Sequence, residues 1–267
     1  MLSSLALVIL ILRTILGSGD IRDPGHEPAP HPAPDAVVPP IDPAAPTGPF
    51  AKSDDPKRAE LAAKALKPIL TRQLDALGLR FGDPVYLRVF KEEDALELWI
   101  REPGKPSFKL FRTYPIAAWS GQLGPKLAEG DMQAPEGFYF VPRAMMHPRS
   151  SYHLSFNLGF PNAFDRAHER TGSALMVHGS FISAGCYAMT DAKIEEIYTL
   201  CDAAHKGGQR FFRVHSFPFR MTPERMTKAK DNKWFSFWQN LKEGHDLFEK
   251  NKFPPNTLVQ NKTYKFH

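Results

Sequence analysis

Cysteine is nearly absent from this chain: 267 residues contain two, Cys186 and Cys201. A disulfide-stapled scaffold needs several pairs, so that architecture is excluded and each thiol has to be read from its own surroundings. Also missing are the Cys/His spacings of zinc fingers, the aromatic motif of RNA-recognition modules and any long Lys/Arg run. Nucleic-acid binding would rest on charge alone, and no nucleic-acid partner is expected. No apolar run reaches the roughly 20 residues that a spanning helix needs. The longest, Leu2–Gly17, has the length of a signal-peptide core, is interrupted by Arg13 and has no Lys or Arg before it. It predicts export, with residues 1–19 as a cleaved signal peptide or a retained membrane anchor, and hence a periplasmic or otherwise exported protein.

Hydrophobic residues make up 42% and charged residues 24%, an ordinary globular composition. Of 25 prolines, ten lie between Pro24 and Pro49. Such a stretch buries too little apolar surface to fold and favours extended conformations, so residues 20–50 are predicted to form a spacer. Beyond residue 50 the chain carries 32 basic and 24 acidic side chains. A basic body favours polyanions of any kind, whether nucleic acid, anionic lipid or acidic wall polymer, and selects none of them.

Leu61, Leu66, Ile69, Leu70, Leu74 and Leu77 recur at helical spacing before Gly78, which predicts one amphipathic helix within residues 51–80 closed by a glycine C-cap. Between residues 84 and 160 come short runs rich in β-branched and aromatic residues, bounded by Gly, Pro, Asp and Ser. They predict an antiparallel sheet system of sandwich or barrel type. A further strand, ALMVH, ends at Gly179. Ile194, Ile197, Tyr198 and Cys201 then mark a helix that starts near Thr190 or Asp191 and stops at Gly207–Gly208, with RFFRVHSF as the last strand. Thr222–Pro223 reads as an N-cap with a first-turn proline. Trp234, Phe237, Trp238, Leu241 and Phe248 complete a helical C-terminal extension over residues 221–267.

The segment from Met176 to Met189 holds the chemistry. A strand delivers His178 at its end, seven residues intervene, and Cys186 follows Ala184 and Gly185. A loop of that length can fold back and set imidazole beside thiol. Pairing with a histidine lowers a thiol's pKa and presents a thiolate, which makes Cys186 the candidate nucleophile and His178 its base. Gly185 would let backbone N–H groups approach an oxyanion, and Ser183 would hold the imidazole. Two other readings stand beside this one. A cysteine next to a glycine in a turn is often a small buried residue, and a strand-terminal histidine is often merely solvated. Alternatively His178, Cys186, Cys201 and His205 supply four zinc-compatible ligands, although Cys201 falls on the apolar face of its helix.

His-Gly followed by Ser-x-Gly-Cys, an aromatic residue and a methionine resembles the active-site signature of the L,D-transpeptidases, the YkuD fold family. The segment from Gly130 to Tyr139 is similar to that family's upstream strand motif. SGQLGPK (120–126), YHLSFNLGFPNAFDRAHERTG (152–172) and HGSFISAGCYAM (178–189) resemble its YafK-like branch. The resemblance covers roughly residues 84–217. It implies an α+β chain, mainly β with helical additions: an L,D-transpeptidase-like β-sandwich over residues 81–220 with flanking N- and C-terminal helices. It further implies Cys186 and His178 as catalytic pair, with Gly185, Ser183 and Tyr187 as oxyanion or supporting residues. No cofactor and no metal are implied.

Many members have a longer loop between the motif histidine and the Ser-x-Gly-Cys element, and many carry an arginine where this chain has Ala188. If that arginine binds a substrate carboxylate, another cation must stand in, with Arg166 and Arg170 as candidates; the plainer reading makes both structural charges. His153, His168 and His215 are not expected to be catalytic, and Glu195 and Glu196 are expected to face solvent. The implied substrate is a peptidoglycan stem peptide, attacked at the bond between an L centre and a D residue to give a thioester. Transfer to an amine makes the chain a transpeptidase. Transfer to water makes it a hydrolase that opens a cross-link or frees a wall-linked lipoprotein. The rival from another class is an inert wall-binding module, which would leave Cys186 unlabelled by a thiol-reactive β-lactam mimic.

Overall fold

The computed structural model describes residues 57–267. The predicted signal or anchor, the proline-rich spacer and the first residues of the N-terminal helical segment lie outside the described residues. Among the described residues no helix is long and apolar enough to cross a membrane.

Helix α1 (Arg58–Ala76) buries Ala62, Leu66, Leu70 and Leu74, the four-residue spacing of one helix face. Leu61 remains exposed. The helix ends where Gly78 adopts φ +71°. There Gly78 N–H donates to the Asp75 carbonyl and Leu79 N–H to that of Leu74, a Schellman closure that glycine permits at least cost.

Two five-stranded sheets follow. The first runs β3 (Phe108–Pro115), β2 (Ala95–Arg101), β1 (Val85–Phe90), β10 (Phe211–Phe217), β5 (Gly137–Pro142). The second runs β4 (Ala118–Trp119), β9 (Tyr187–Ala188), β8 (Met176–His178), β7 (His153–Asn157), β6 (Met146–Ser150). The core between them joins Leu87, Val89, Leu96 and Leu98 of the first sheet to Leu154, Phe156, Val177 and Tyr187 of the second. Helix α3 (Asp191–Lys206) adds Ile194, Ile197, Leu200 and Cys201 to the same core. The fold is α+β, as expected.

The sheets are not purely antiparallel, because β1 pairs with β10 and β8 with β9 in parallel. A parallel pair requires a crossover. Between β8 and β9 that crossover is the loop of residues 179–186, so the candidate catalytic segment is itself the connection.

All six residues of β1 are buried, which means that both faces of the strand are covered. Val85, Leu87 and Val89 face the inter-sheet core, while Tyr86 packs with Trp99 and Phe248, and Phe90 with the cluster around Trp238. Phe248 and Trp238 belong to α5 (Phe235–Asn251), so the C-terminal extension forms a third layer over the first sheet. Before it, α4 (Pro223–Lys228) starts at an N-cap Thr222 that accepts the Arg225 N–H, with proline in its first turn as predicted.

The extension is not only helical: β11 (Thr257–Gln260) and β12 (Thr263–Phe266) form a hairpin. Asn261 and Lys262 between them both have positive φ, the conformation of a two-residue hairpin turn whose twist matches the strands. The hairpin anchors Tyr264, stacked on Phe164 of the short helix α2 (Ala163–Ala167) at 4.2 Å between ring centroids.

Candidate active site

His178, Ser155 and Ala188 are register partners across β8, β7 and β9, and all three are buried. Their strand neighbours Leu154, Phe156, Val177 and Tyr187 point the other way into the core, the period-two alternation of a strand. Cys186 stands one residue before β9. The N–H of Met176 on β8 reaches its Sγ at 3.4 Å, which sets the thiol at the edge of the same face as His178. Chain topology thus joins the predicted pair on one sheet surface.

Two contacts hold the imidazole, and one nearby charge acts on it. Its Nδ1 lies 2.5 Å from the Gly179 carbonyl oxygen. A carbonyl only accepts, so Nδ1 carries the proton and Nε2 keeps its lone pair. The Tyr152 ring lies against the imidazole at 4.8 Å, and the Asp191 charge acts on it from the start of α3. Burial holds the imidazole pKa below the ordinary histidine value, while the Gly179 carbonyl and Asp191 oppose that shift. Gly179 can have no side chain: a Cβ there would come within 2.6 Å of Asp191 Oδ1 and 2.8 Å of the Tyr152 carbonyl.

Cys186 is free and half-buried. Its thiol approaches the Ala174 carbonyl at 3.7 Å, and no hydrogen bond joins it to His178 among the described residues. Burial pushes the thiol pKa up, with the Met176 N–H and the Lys126 charge pulling it down. Both shifts favour the neutral forms, thiol and imidazole, over the thiolate anticipated from a cysteine paired with histidine. The physical reason is desolvation, which penalises both charged forms.

Ser183 does not touch the imidazole. Its Oγ donates to the Cys186 carbonyl at 2.7 Å and accepts the Cys186 N–H at 3.1 Å, bracing the backbone of Cys186 itself. The Gly185 N–H is also engaged, by Ser120 Oγ at 2.6 Å, and Ser120 in turn donates to the Met132 carbonyl. Both expected oxyanion donors are thus occupied by hydroxyls in this state. The Tyr187 hydroxyl is turned away from the thiol's face: the residue is fully buried, bonded through that hydroxyl to Pro135 and Ser216, and supports the loop from behind.

Gly185 sits at φ +97°, with a hypothetical Cβ 3.2 Å from Leu175 Cδ1 and 3.4 Å from the Gln133 carbonyl. Gly185→Ala is expected to cost about 1–2 kcal/mol from the left-handed backbone alone and to lower the melting temperature by a few degrees in a thermal scan.

Neither predicted arginine is among the groups that act on the thiol or the imidazole. Arg166 is exposed and donates to the Pro161 carbonyl. Arg170 is buried, pairs with Asp165 at 2.8 Å and lies over the rings of Phe164 and Phe237, so it fastens α2 to α5. The cation that does act on the thiol is Lys126, from SGQLGPK, a residue whose role the spacing did not reveal. Glu195 is also not solvent-facing: it is buried and bonded to His153 at 2.8 Å. His215 is buried between the first sheet and the extension against Tyr86, and His168 contacts the Lys262 carbonyl. The four zinc-type residues do not converge, because Cys201 lies in the core and His205 bonds the Gln209 carbonyl.

A cleft of about 540 Å³ lies between α5 and the terminal hairpin and shares no residue with the site. A cleft of about 220 Å³ adjoins it, lined by Gln122, Asp131, Gln133 and Trp234.

No protein-family model matches the chain. Among solved structures it is similar to the helical cell shape determining protein Pgp2 of Campylobacter jejuni, at 17% identity and TM-score 0.40, covering 71% of this chain and 80% of that one. It is also similar to Bd1075 of Bdellovibrio bacteriovorus, at 19% identity and TM-score 0.36, covering 67% and 78%. Among curated proteins it is 44% identical over 183 residues to a protein of Escherichia coli strain K12 that carries the provisional name L,D-transpeptidase YafK, covering 68% of this chain and 74% of the relative. The same figures hold for the protein of that name in Escherichia coli O157:H7. With that identity over that length, the chain belongs to the YafK-like L,D-transpeptidase family.

Proposed function

We propose that the chain is a peptidoglycan L,D-transpeptidase in which Cys186 attacks the carbonyl of an L,D peptide bond in a stem peptide. The observation that carries this is the 2.5 Å contact between His178 Nδ1 and the Gly179 carbonyl. With Nδ1–H committed to Gly179, Nε2 is the free base on the same sheet face as the thiol. As Sγ bonds to the carbonyl carbon, its proton passes to Nε2. The C–N bond then breaks, the imidazolium returns the proton to the departing amine, and a thioester remains on Cys186. An amine of a second stem next attacks the thioester, giving the new amide and restoring the thiol. The oxyanion draws on the Cys186 and Gly185 N–H groups once the substrate displaces Ser183 and Ser120; apo hydrogen bonds often rearrange in this way on binding. Such a reaction belongs in an exported compartment, in keeping with the apolar N-terminal run.

Ala188 supports a second reading. It is fully buried in register with His178, so no cation projects from that position toward an acceptor. Water as acceptor then makes the same thioester the intermediate of a hydrolase that opens a cross-link or frees a wall-linked lipoprotein. Mass spectrometry of muropeptides incubated with the protein separates the two: cross-linked or exchanged stems indicate transfer, and shortened or released stems indicate hydrolysis. Unchanged muropeptides would refute both.

The pH profile carries a signed expectation. His178 acts only when neutral, and burial lowers its pKa below 6.5, so the base form persists to more acidic pH than for a solvated histidine. The acid limb of kcat/KM is therefore expected below pH 6.5. An acid limb above that value would contradict the buried, uncharged imidazole.

A further inference from the structure

The wall that holds the thiol also holds a lysine. Thr171 N–H donates to the Leu127 carbonyl at 3.0 Å, and Thr171 Oγ1 accepts the Glu129 N–H at 3.1 Å, so the segment after α2 is docked on residues 127–129. One residue on, Gly172 lets the Lys126 stem cross: a Cβ there would fall 2.6 Å from Lys126 Cε. Further along the same segment, the Ala174 carbonyl and the Met176 N–H contact Cys186 Sγ. Lys126 and the thiol thus share residues 171–176 as a common support.

The Lys126 side chain is 5% exposed. Its ammonium donates to the Ala128 carbonyl at 2.8 Å and to Asp131 Oδ1 at 2.5 Å. An ammonium has three N–H groups, so one has no protein acceptor among the described residues. Asp131, which already pairs with the ammonium, is itself held in place by the N–H groups of Leu127, Ala128 and Gln133. The result is a lysine fixed on the same wall as the thiol and charged toward it, with one N–H that has no protein acceptor among the described residues. Neither Arg166 nor Arg170 can take its place, and Ala188 brings no charge.

We propose that Lys126 is a specificity-determining residue whose remaining N–H binds a free carboxylate of the substrate, on a residue adjoining the bond that Cys186 attacks. The inference rests on Cys186 being the reacting atom. Its first test does not depend on turnover. Iodoacetate and iodoacetamide alkylate the same thiol and differ in one carboxylate, so their rate ratio isolates recognition of that group from any change in thiol reactivity. The iodoacetate-to-iodoacetamide ratio is expected to fall about 10-fold in Lys126→Met, the lower end of the value of one hydrogen bond between charged groups. It should be largely kept in Lys126→Arg, and Lys126→Gln serves as a second charge-free variant should the methionine variant fail to fold. Far-UV circular dichroism checks each fold.

With stem peptides, Lys126→Met is expected to lose about 10–100-fold in kcat/KM, the value of one charge-assisted hydrogen bond. Amidating the flanking carboxylate should cost the wild type the same and the variant nothing further. A ratio unchanged by Lys126→Met, or additive losses for variant and amidated substrate, would overturn the proposal. If the ratio moves but the wild type leaves stem peptides intact, the carboxylate site stands and the acyl-transfer reading fails.

Discussion

Cys186→Ala is expected to lower turnover of stem peptides by about 10⁴-fold or more, because a nucleophile and its base act as one unit and the remaining machinery supplies only binding. The structure gives reason to expect little structural cost. The thiol is half-buried, its contacts are one N–H at 3.4 Å and one carbonyl at 3.7 Å, and Ser183 braces the backbone whatever side chain stands there. Melting temperature should therefore stay within a few degrees while activity disappears. His178→Ala should lower the rate by about 10²–10⁴-fold, the usual value of a positioned general base. A Cys186→Ala protein that still processes stem peptides would place the chemistry elsewhere.

Glu136→Ala is expected to produce the largest loss of stability among single substitutions, about 3–5 kcal/mol, because it strands a buried charge. Glu136 and Lys91 are both fully buried and lie 3.0 Å apart. Burial pushes the Lys91 pKa down, and the Glu136 charge restores part of it. Lys91 also donates to the carbonyls of Gln122 and Gly124, while Glu136 accepts the Gly124 N–H at 2.6 Å and the Trp238 Nε1–H at 2.9 Å. One carboxylate therefore fastens the SGQLGPK loop, the first sheet and α5 together. The melting temperature should fall by roughly 10 °C, taking about 2–4 °C per kcal/mol for a chain of this size. Replacing both partners with apolar residues should recover only part of the loss, since the Gly124 and Trp238 donors stay unpaired. A shift under about 2 °C would show that the pair does not hold these three parts.

Much of this site was legible in the sequence because it is local. His178 and Cys186 stand at the two ends of one short loop, and the strand before it and the helix after it follow from their own periodicity. The two helices of the C-terminal extension were legible for the same reason, through Thr222–Pro223 and the aromatic spacing of α5. What the sequence hid depends on partners distant along the chain. Glu195 reads as a solvent-facing helix residue until β7 brings His153 against it, 42 residues away in sequence. Arg170 reads as a loop cation until Phe237 arrives to cover it. Ser120 lies 65 residues from the Gly185 N–H that it accepts, and no pattern in either segment reports that contact. The parallel pairings were hidden because strand direction is set by connections, not by composition. The terminal hairpin did leave a signal, the alternation of TLVQ and TYKF around Asn261-Lys262, which the helical reading of the extension passed over.

The most direct test of the account is peptide-mapped mass spectrometry of the protein quenched during reaction with a stem tetrapeptide. The expected result is an acyl adduct on Cys186 whose mass equals the stem minus its terminal D-residue, absent from Cys186→Ala and slow to form in His178→Ala. Turnover of the stem with no adduct on Cys186, or an adduct that forms equally fast without His178, would contradict it.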